Sequence, residues 1–232
     1  MQTDFVDHAT WLVARKALLE REKAFTRKRD RLSEARRKLP MVEVTADYVF
    51  ETQEGQVSLS GLFGPHSQLL VYHFMFGKTW TEGCPSCSFW ADNYDGLDIH
   101  LAARDTALVA VSNAPLVRLL DYRDRMGWRF NWASTAGSSF SEDFGVTFPG
   151  KTVKNGQGYN YTTNAFAEEL PGISAFLKLK DGRIGHGYST YGRGLDIINS
   201  AYNLLDLTPL GRQEHDLPHP MAWVRRRDQY GL

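Results

Sequence analysis

Gln68-Leu69-Leu70-Val71-Tyr72-His73-Phe74-Met75-Phe76, followed eight residues later by Cys84-Pro85-Ser86-Cys87, decides the reading of this chain. The first stretch is apolar and bounded by turn residues, the pattern of a buried strand. The second holds the only two cysteines of 232 residues, with two residues between them. That spacing lets both sulfurs meet across the first turn of a helix. A strand, a short loop, Cys-x-x-Cys and a helix form the arrangement in which a dithiol exchanges electrons. Pro85 suits a first helical turn, because it has no N–H to lose there. The Ser86 hydroxyl stands within reach of a thiolate at Cys84.

Outward from this centre, the pattern predicts a helix over 85–103 and a second buried strand over 106–112. Pro115 opens another helix, with Leu116, Leu119, Leu120 and Met126 at helical spacing, and Gly127 ends it. Trp128-Arg129-Phe130-Asn131-Trp132 alternates as a third strand. The order β, α, β, α, β implies parallel strands with right-handed crossovers. Residues 137–170 are rich in Gly, Ser, Asn and Thr and read as a long excursion. Beyond it, two strand-like stretches flank Asp181-Gly182, a strong hairpin dipeptide, and a last helix is expected over 195–205. Earlier, extended pieces at 48–50 and 57–59 flank a turn at Glu54-Gly55.

The amino-terminal residues 4–38 read as one helix. Trp11, Leu18, Phe25, Leu32 and Leu39 recur every seven residues, a narrow apolar seam. Between Arg15 and Lys38, eleven Lys or Arg face four acids, and Pro40 is the stop signal. The seam suits packing on the same chain or on a second copy, a route to a homo-oligomer. The interleaved acids and a whole-chain formal charge of zero argue against nucleic acid. Hydrophobic residues make up 42% and charged residues 23%, the balance of a water-soluble globular protein. No apolar run reaches membrane-spanning length, and the first 30 residues lack a secretory h-region. Two cysteines do not make a secreted disulfide scaffold, so a reducing cytoplasm is expected. The expected organisation is a helical arm over 1–40, one domain over 41–208 and an irregular tail over 209–232.

These parts, in this order, resemble the thioredoxin fold. Gly83-Cys84-Pro85-Ser86-Cys87 stands where thioredoxins carry their Trp-Cys-Gly-Pro-Cys, and 172–182 resembles their Gly-Ile-Pro-Thr hairpin strand. More closely, the chain is similar to a bacterial thioredoxin-like family of predicted dithiol-disulfide oxidoreductases. The residues that carry this are Phe74-Met75-Phe76-Gly77, 83–92, Arg125-Met126-Gly127-Trp128, Tyr188-Ser189-Thr190-Tyr191, 205–209 and Trp223-Val224-Arg225-Arg226. The resemblance implies an α/β protein with a thioredoxin-like mixed sheet flanked by helices, a long helical arm and an irregular tail. It implies Cys84 as nucleophile and Cys87 as resolving thiol, acting on a thiol or disulfide substrate. With no flavin or nicotinamide motif, electrons are expected from an external thiol reductant and no cofactor is assigned. Thioredoxins carry a cis-proline opposite the dithiol; Ser174 takes that place in the alignment, and Trp80 lies four residues before Cys84 rather than adjacent.

Three other readings remain at this point. Trp80-Thr81-Glu82-Gly83-Cys84-Pro85 resembles the peroxiredoxin pattern Phe-Thr-x-x-Cys-Pro, with Thr81 as the residue that would hydrogen-bond a peroxide. The cysteines with His215 and His219 have the residue types of a zinc site. A non-catalytic binding scaffold is the third. His73 reads as a hydrogen-bonded core residue and His186 as a solvated one.

Overall fold

The computed structural model describes residues 4–154 and 156–231. The chain forms two compact units, 1–40 and 41–232. The first is dominated by α1 (His8–Arg37), whose 30 residues contain neither Gly nor Pro. Asp7 caps it, its carboxylate accepting the Thr10 amide, and Arg36 and Arg37 lie in the last turn where the dipole favours cations. No residue of α1 is buried; the seam residues Trp11, Phe25 and Leu32 are each at least half exposed.

The second unit is built on one eight-stranded sheet. In chain order its elements begin with β1 (Val42–Glu43), β2 (Val49–Thr52), β3 (Gly55–Ser58), α2 (Leu59–Leu62) and β4 (Gln68–His73). Next come α3 (Pro85–Ala91), α4 (Leu97–Ala102), β5 (Thr106–Ser112), α5 (Leu116–Met126), β6 (Asn131–Ser134) and α6 (Phe140–Asp143). The chain closes with β7 (Gly172–Lys178), β8 (Ile184–Tyr191) and α7 (Ser200–Leu205). The strand order is β1-β8-β7-β4-β5-β6-β2-β3. β4, β5 and β6 are parallel, as the βαβαβ pattern predicts, while β7 pairs antiparallel with β4 and with β8. The block β8-β7-β4-β5, with α3 following β4, is the thioredoxin arrangement.

Alternation along β4 divides the core. Tyr72, Phe74 and Phe76 join Cys87, Trp90, Tyr122, Trp128 and Trp132 on one face. Leu69 and Val71 join Val109, Val111, Phe140 and Phe176 on the other. Large aromatic rings bury roughly 150–250 Å² each, so they supply much of the surface buried on the first face. Ring pairs such as Phe74–Trp132, with centroids 4.7 Å apart, fix its packing.

Three expected elements are corrected. The helix over 85–103 is two helices: α3 ends at Ala91, and α4 starts afresh after Gly96, its N-cap at φ 82°. The third strand begins at Asn131, not Trp128: Trp128 and Phe130 turn into the core before pairing starts. The last helix is a 3-10 stretch, Gly192–Ile198, followed by α7, whose break is capped by the Asn199 side chain accepting the Tyr202 amide. The hairpin at Asp181-Gly182 forms as expected, with Gly182 at φ 89°. The excursion over 137–170 holds α6 and short turns, and its Val146, Phe148, Tyr159 and Leu170 cluster with Tyr191 of β8.

Candidate active site

The dithiol lies at the carboxyl end of β4, where the strand gives way to a loop and then α3. Cys84 is the N-cap of α3 and Pro85 its first residue. Cys84 is partly exposed and Cys87 is 2% exposed, both as free thiols. Met75 touches both: its carbonyl accepts the Cys84 amide at 3.1 Å, and its amide donates to Cys87 Sγ at 3.4 Å.

The two sulfurs are chemically unequal. Cys84 is held at about 7, below its ordinary 9.0, chiefly because the Cys87 thiol donates to its sulfur. The Cys87 and Ser86 backbone amides and the Ser86 hydroxyl add to this, against the opposing effect of burial. Cys87 is pushed well above its ordinary value, first by burial and then by the same shared hydrogen bond. Tyr72 lies beneath it, its hydroxyl donating to the Cys87 carbonyl at 3.2 Å.

The loop before Cys84 is fixed from below. An added Cβ at Gly83 would meet the Phe74 ring at 2.7 Å and the Tyr122 ring at 2.8 Å, so only glycine fits between them. Arg226, from the carboxy-terminal segment, donates to the Gly83 carbonyl through Nη2 at 2.7 Å and Nε at 3.1 Å. The peptide unit joining Gly83 to Cys84 is thus pinned at both ends, its carbonyl by Arg226 and its N–H by Met75. Arg226 Nε also donates to the Tyr122 hydroxyl at 3.0 Å. Ser88 spends its proton on the Cys84 carbonyl at 2.9 Å, so the Tyr122 hydroxyl must donate to Ser88 across their 2.8 Å contact. Ion pairs extend this support: Glu82 meets both Arg125 and Arg226, and Arg125 Nε reaches Asp228 at 2.7 Å.

The remaining sequence-derived residues divide. Pro85 and Ser86 sit with the dithiol. Trp80 is 38% exposed and its indole covers Gly77, where a Cβ would come within 2.9 Å of Nε1. Arg118 holds that loop by donating to the Lys78 and Trp80 carbonyls at 3.0 and 2.8 Å. Thr81 is exposed in the same loop. Ser174 lies on the opposite face of the sheet, opposite Val71 in register, where it bonds His73 Nε2 at 2.8 Å and Ser189 Oγ at 2.7 Å. Position in the alignment therefore did not bring it to the sulfurs. Gly172 pairs with His73, so Pro171, one residue before β7, is the proline that flanks the dithiol end of β4. No peptide bond among the described residues is cis.

His73 is buried as expected, but on the face away from Cys87, and burial holds it neutral down to about 3. His186 is not solvated: it is half-buried, bonds Ser189 Oγ at 2.7 Å and packs edge-on against Phe144. No group of three or more His, Cys, Asp or Glu able to hold a metal occurs among the described residues. His215 is instead 81% exposed beside Asp216. No helix among them is long and apolar enough to cross a membrane.

Arg226, Tyr122, Gly83 and Met75 were not legible as site residues. Arg226 stood in a run of three arginines, which reads as a solvated tail.

Among solved structures, the chain is similar to the peroxidoxin BcpB of Mycobacterium tuberculosis, at 16% identity over 72% of this chain and 97% of that one, TM-score 0.46. A mutant of peroxiredoxin Q from Xanthomonas campestris is 11% identical over 72% and 98%, TM-score 0.45. A protein described as thiol:disulfide interchange protein DsbE from Chlorobium tepidum is 14% identical over 71% and 98%, TM-score 0.40. No curated protein matches the chain. A family model matches residues 1–230, and the chain belongs to that family, DUF899, bacterial proteins of unknown function.

Proposed function

We propose that this protein is a thiol-disulfide oxidoreductase in which Cys84 is the nucleophile and Cys87 the resolving thiol. The observation that carries the reading is the inequality of the pair. Cys84 is reachable and held at about 7, while Cys87 is sealed, protonated and hydrogen-bonded to it. At neutral pH about half of Cys84 is then thiolate, the form that attacks. Its sulfur displaces one sulfur of a substrate disulfide, forming a mixed disulfide and releasing the first thiolate. The Cys87 sulfur then attacks the Cys84 sulfur, the mixed disulfide bond breaks, and the second substrate sulfur leaves with the proton that Cys87 gives up. The product is a Cys84–Cys87 disulfide, and an external thiol must reduce it for turnover.

A thiol peroxidase would use the same Cys84: its sulfur attacks a peroxide oxygen, the O–O bond breaks and the alcohol or water leaves, and Cys87 then displaces water from the Cys84 sulfenic acid to give the same disulfide. The disulfide reading is favoured by Arg226. Arg226, which reaches the peptide before Cys84, spends its donors on the Gly83 carbonyl, the Tyr122 hydroxyl and Glu82, so they are not offered to a peroxide at the sulfur.

The test compares rates of disulfide and hydroperoxide consumption by wild type and Cys84→Ser, with dithiothreitol as reductant. The expected result is Cys84-dependent disulfide reduction with little hydroperoxide consumption. Hydroperoxide as the faster oxidant would move the assignment to peroxidase. Iodoacetamide alkylation of Cys84 should show a half-point near 7; a half-point at or above about 8.5, that of free cysteine, overturns both readings.

A further inference from the structure

A cavity of about 580 Å³ opens beside Met75, the residue that holds both members of the dithiol. Its walls include Trp80, Tyr159, Phe166, Leu170 and Pro171, so most of the surface offered is aromatic or aliphatic. Three charged side chains join them: Glu168, Glu169 and Lys151. Glu168 Oε1 is occupied by the Gly150 amide at 2.9 Å. Lys151 is exposed.

Glu169 differs from both. Oε2 accepts from Thr147 Oγ1 at 3.0 Å and from Asn113 Nδ2 at 3.2 Å, while among the described residues Oε1 accepts only from Asn113 Nδ2, at 3.0 Å. A carboxylate oxygen has room for about two donors, so Oε1 keeps an open position. These neutral donors position the carboxylate without neutralising it. Burial holds its pKa above the usual carboxylate range, and the nearby Lys78 opposes this only as the smallest of the contributing effects.

We propose that this cavity is the substrate site of the oxidoreductase, that it takes low-molecular-weight disulfides with an aromatic or apolar, uncharged or cationic body, and that Glu169 excludes carboxylate-bearing ones. The inference rests on the reading of Cys84 as nucleophile. Two carboxylates against one exposed ammonium leave the walls negative, and a second carboxylate brought into a partly desolvated site meets like charge without water to screen it. A neutral ring meets Trp80, Tyr159 and Phe166 with no such cost, and a cation gains from the aromatic faces.

The experiment pairs two aromatic disulfides, neutral 2,2′-dithiodipyridine and the dicarboxylate 5,5′-dithiobis(2-nitrobenzoate), at pH 8. Each kcat/KM is divided by that disulfide's rate with free dithiothreitol, which removes intrinsic reactivity. Wild type should favour the neutral disulfide by about tenfold or more, the scale of one unscreened like-charge contact. Glu169→Gln keeps the side-chain shape and should close most of that gap by raising the rate on the dicarboxylate. Phe166→Ala, at a ring 72% exposed and so safe for folding, should raise KM for the dipyridyl disulfide while the Cys84 alkylation profile stays unchanged. Equal normalised rates in wild type, or a gap unmoved by Glu169→Gln, overturn the inference and leave the oxidoreductase reading standing. Rates for both disulfides no faster than those of Cys84→Ser overturn the oxidoreductase reading itself.

Discussion

The two faces of the central sheet carry the same kind of chemistry with opposite access to solvent. On one face Cys84 and Cys87 share a hydrogen bond at the mouth of a loop. On the other, His73, Ser174, Ser189 and His186 form a chain through contacts of 2.8, 2.7 and 2.7 Å. The side chains of that second chain are ordinary nucleophiles and bases. Yet Ser174 is 0% exposed, Ser189 3% and His73 2%, and His73 stacks on Phe140 with centroids 5.7 Å apart. His73 Nδ1 has no hydrogen-bond partner among the described residues, which favours the tautomer with the proton on Nε2, since an unpaired N–H costs more than an unpaired lone pair. The proton sequence then runs from His73 through Ser174 and Ser189 to His186 Nε2. Every hydroxyl in it is spent on a neighbour. On the proposed reading, the reactive group is made by an open approach and an unequal pair, not by residue type.

Removing one nucleophile from each face should give the largest contrast. Cys84→Ser should lower disulfide reduction by about a thousandfold or more, since no other thiol is exposed to replace it. Ser174→Ala should leave kcat/KM within about twofold and lower stability by about 1–3 kcal/mol, because it orphans buried hydrogen-bond partners. A loss of activity in Ser174→Ala at unchanged Cys84 reactivity would show that the buried chain takes part in catalysis. Steady-state rates and urea unfolding on the same two proteins decide it.

The faces should also answer to opposite ends of the pH scale. His73, held near 3 by burial, is a base whose unfolded form binds a proton below about 6.5. Stability therefore falls as pH drops from about 6.5 toward 3, by about 3–5 kcal/mol in total, and His186, lowered for the same reason, adds to it. Cys84 acts in the same direction at higher pH. Its depressed folded value makes the unfolded state the better proton binder between about 7 and 9, so reduced protein gains about 1–3 kcal/mol as pH rises through that window. Cys87, pushed up by burial, takes stability away again above it. Urea midpoints measured from pH 4 to pH 9 should show both limbs; His73→Phe should flatten the acid limb and Cys84→Ser the alkaline one.

Gly83→Ala acts on the dithiol face alone. The new methyl would sit 2.7 Å from Phe74 and 2.8 Å from Tyr122. Both rings belong to a tightly packed core, so the loop must move instead, at about 1–3 kcal/mol. Disulfide reduction should fall with it, while the acid limb set by His73 stays in place. Thermal unfolding together with the alkylation half-point of Cys84 reports both parts.

Much of the fold was legible because its signals are local. The apolar run before Gly77, the Cys-Pro start of α3, Pro115 and Gly127 around α5, and Asp181-Gly182 in the hairpin each act within a few residues. The cysteine pair stood out for the same reason. What failed depended on tertiary competition: Gly96 breaking a helix that periodicity extends, and Trp128 and Phe130 preferring the aromatic core to strand pairing. Ser174 shows the limit of alignment. A shift between strand position and loop position moves a residue to the other face of a sheet, because side chains alternate along the strand. The cavity carboxylate Glu169 was invisible, since its partners Asn113 and Thr147 lie 56 and 22 residues away.

Arg226 is the least legible of all and gives the finest test. Its guanidinium holds the Gly83 carbonyl with two nitrogens while Met75 holds the other end of the same peptide. Arg226→Lys keeps the charge near Glu82 but removes the fork, so a single ammonium must choose between the carbonyl and the Tyr122 hydroxyl. The loss of one charge-assisted hydrogen bond, about 1–2 kcal/mol, should appear mainly as a looser Cys84 rather than as global unfolding. The expected result is a fall of about three- to tenfold in kcat/KM with the Cys84 alkylation half-point moving up from about 7 toward its ordinary 9.0. A variant with lowered melting temperature and an unmoved half-point would make Arg226 an anchor of the tail alone. A moved half-point in Arg226→Lys, absent in Arg227→Lys one residue away, ties the effect to the pinned peptide and sets the dithiol face apart from the sealed one in kind.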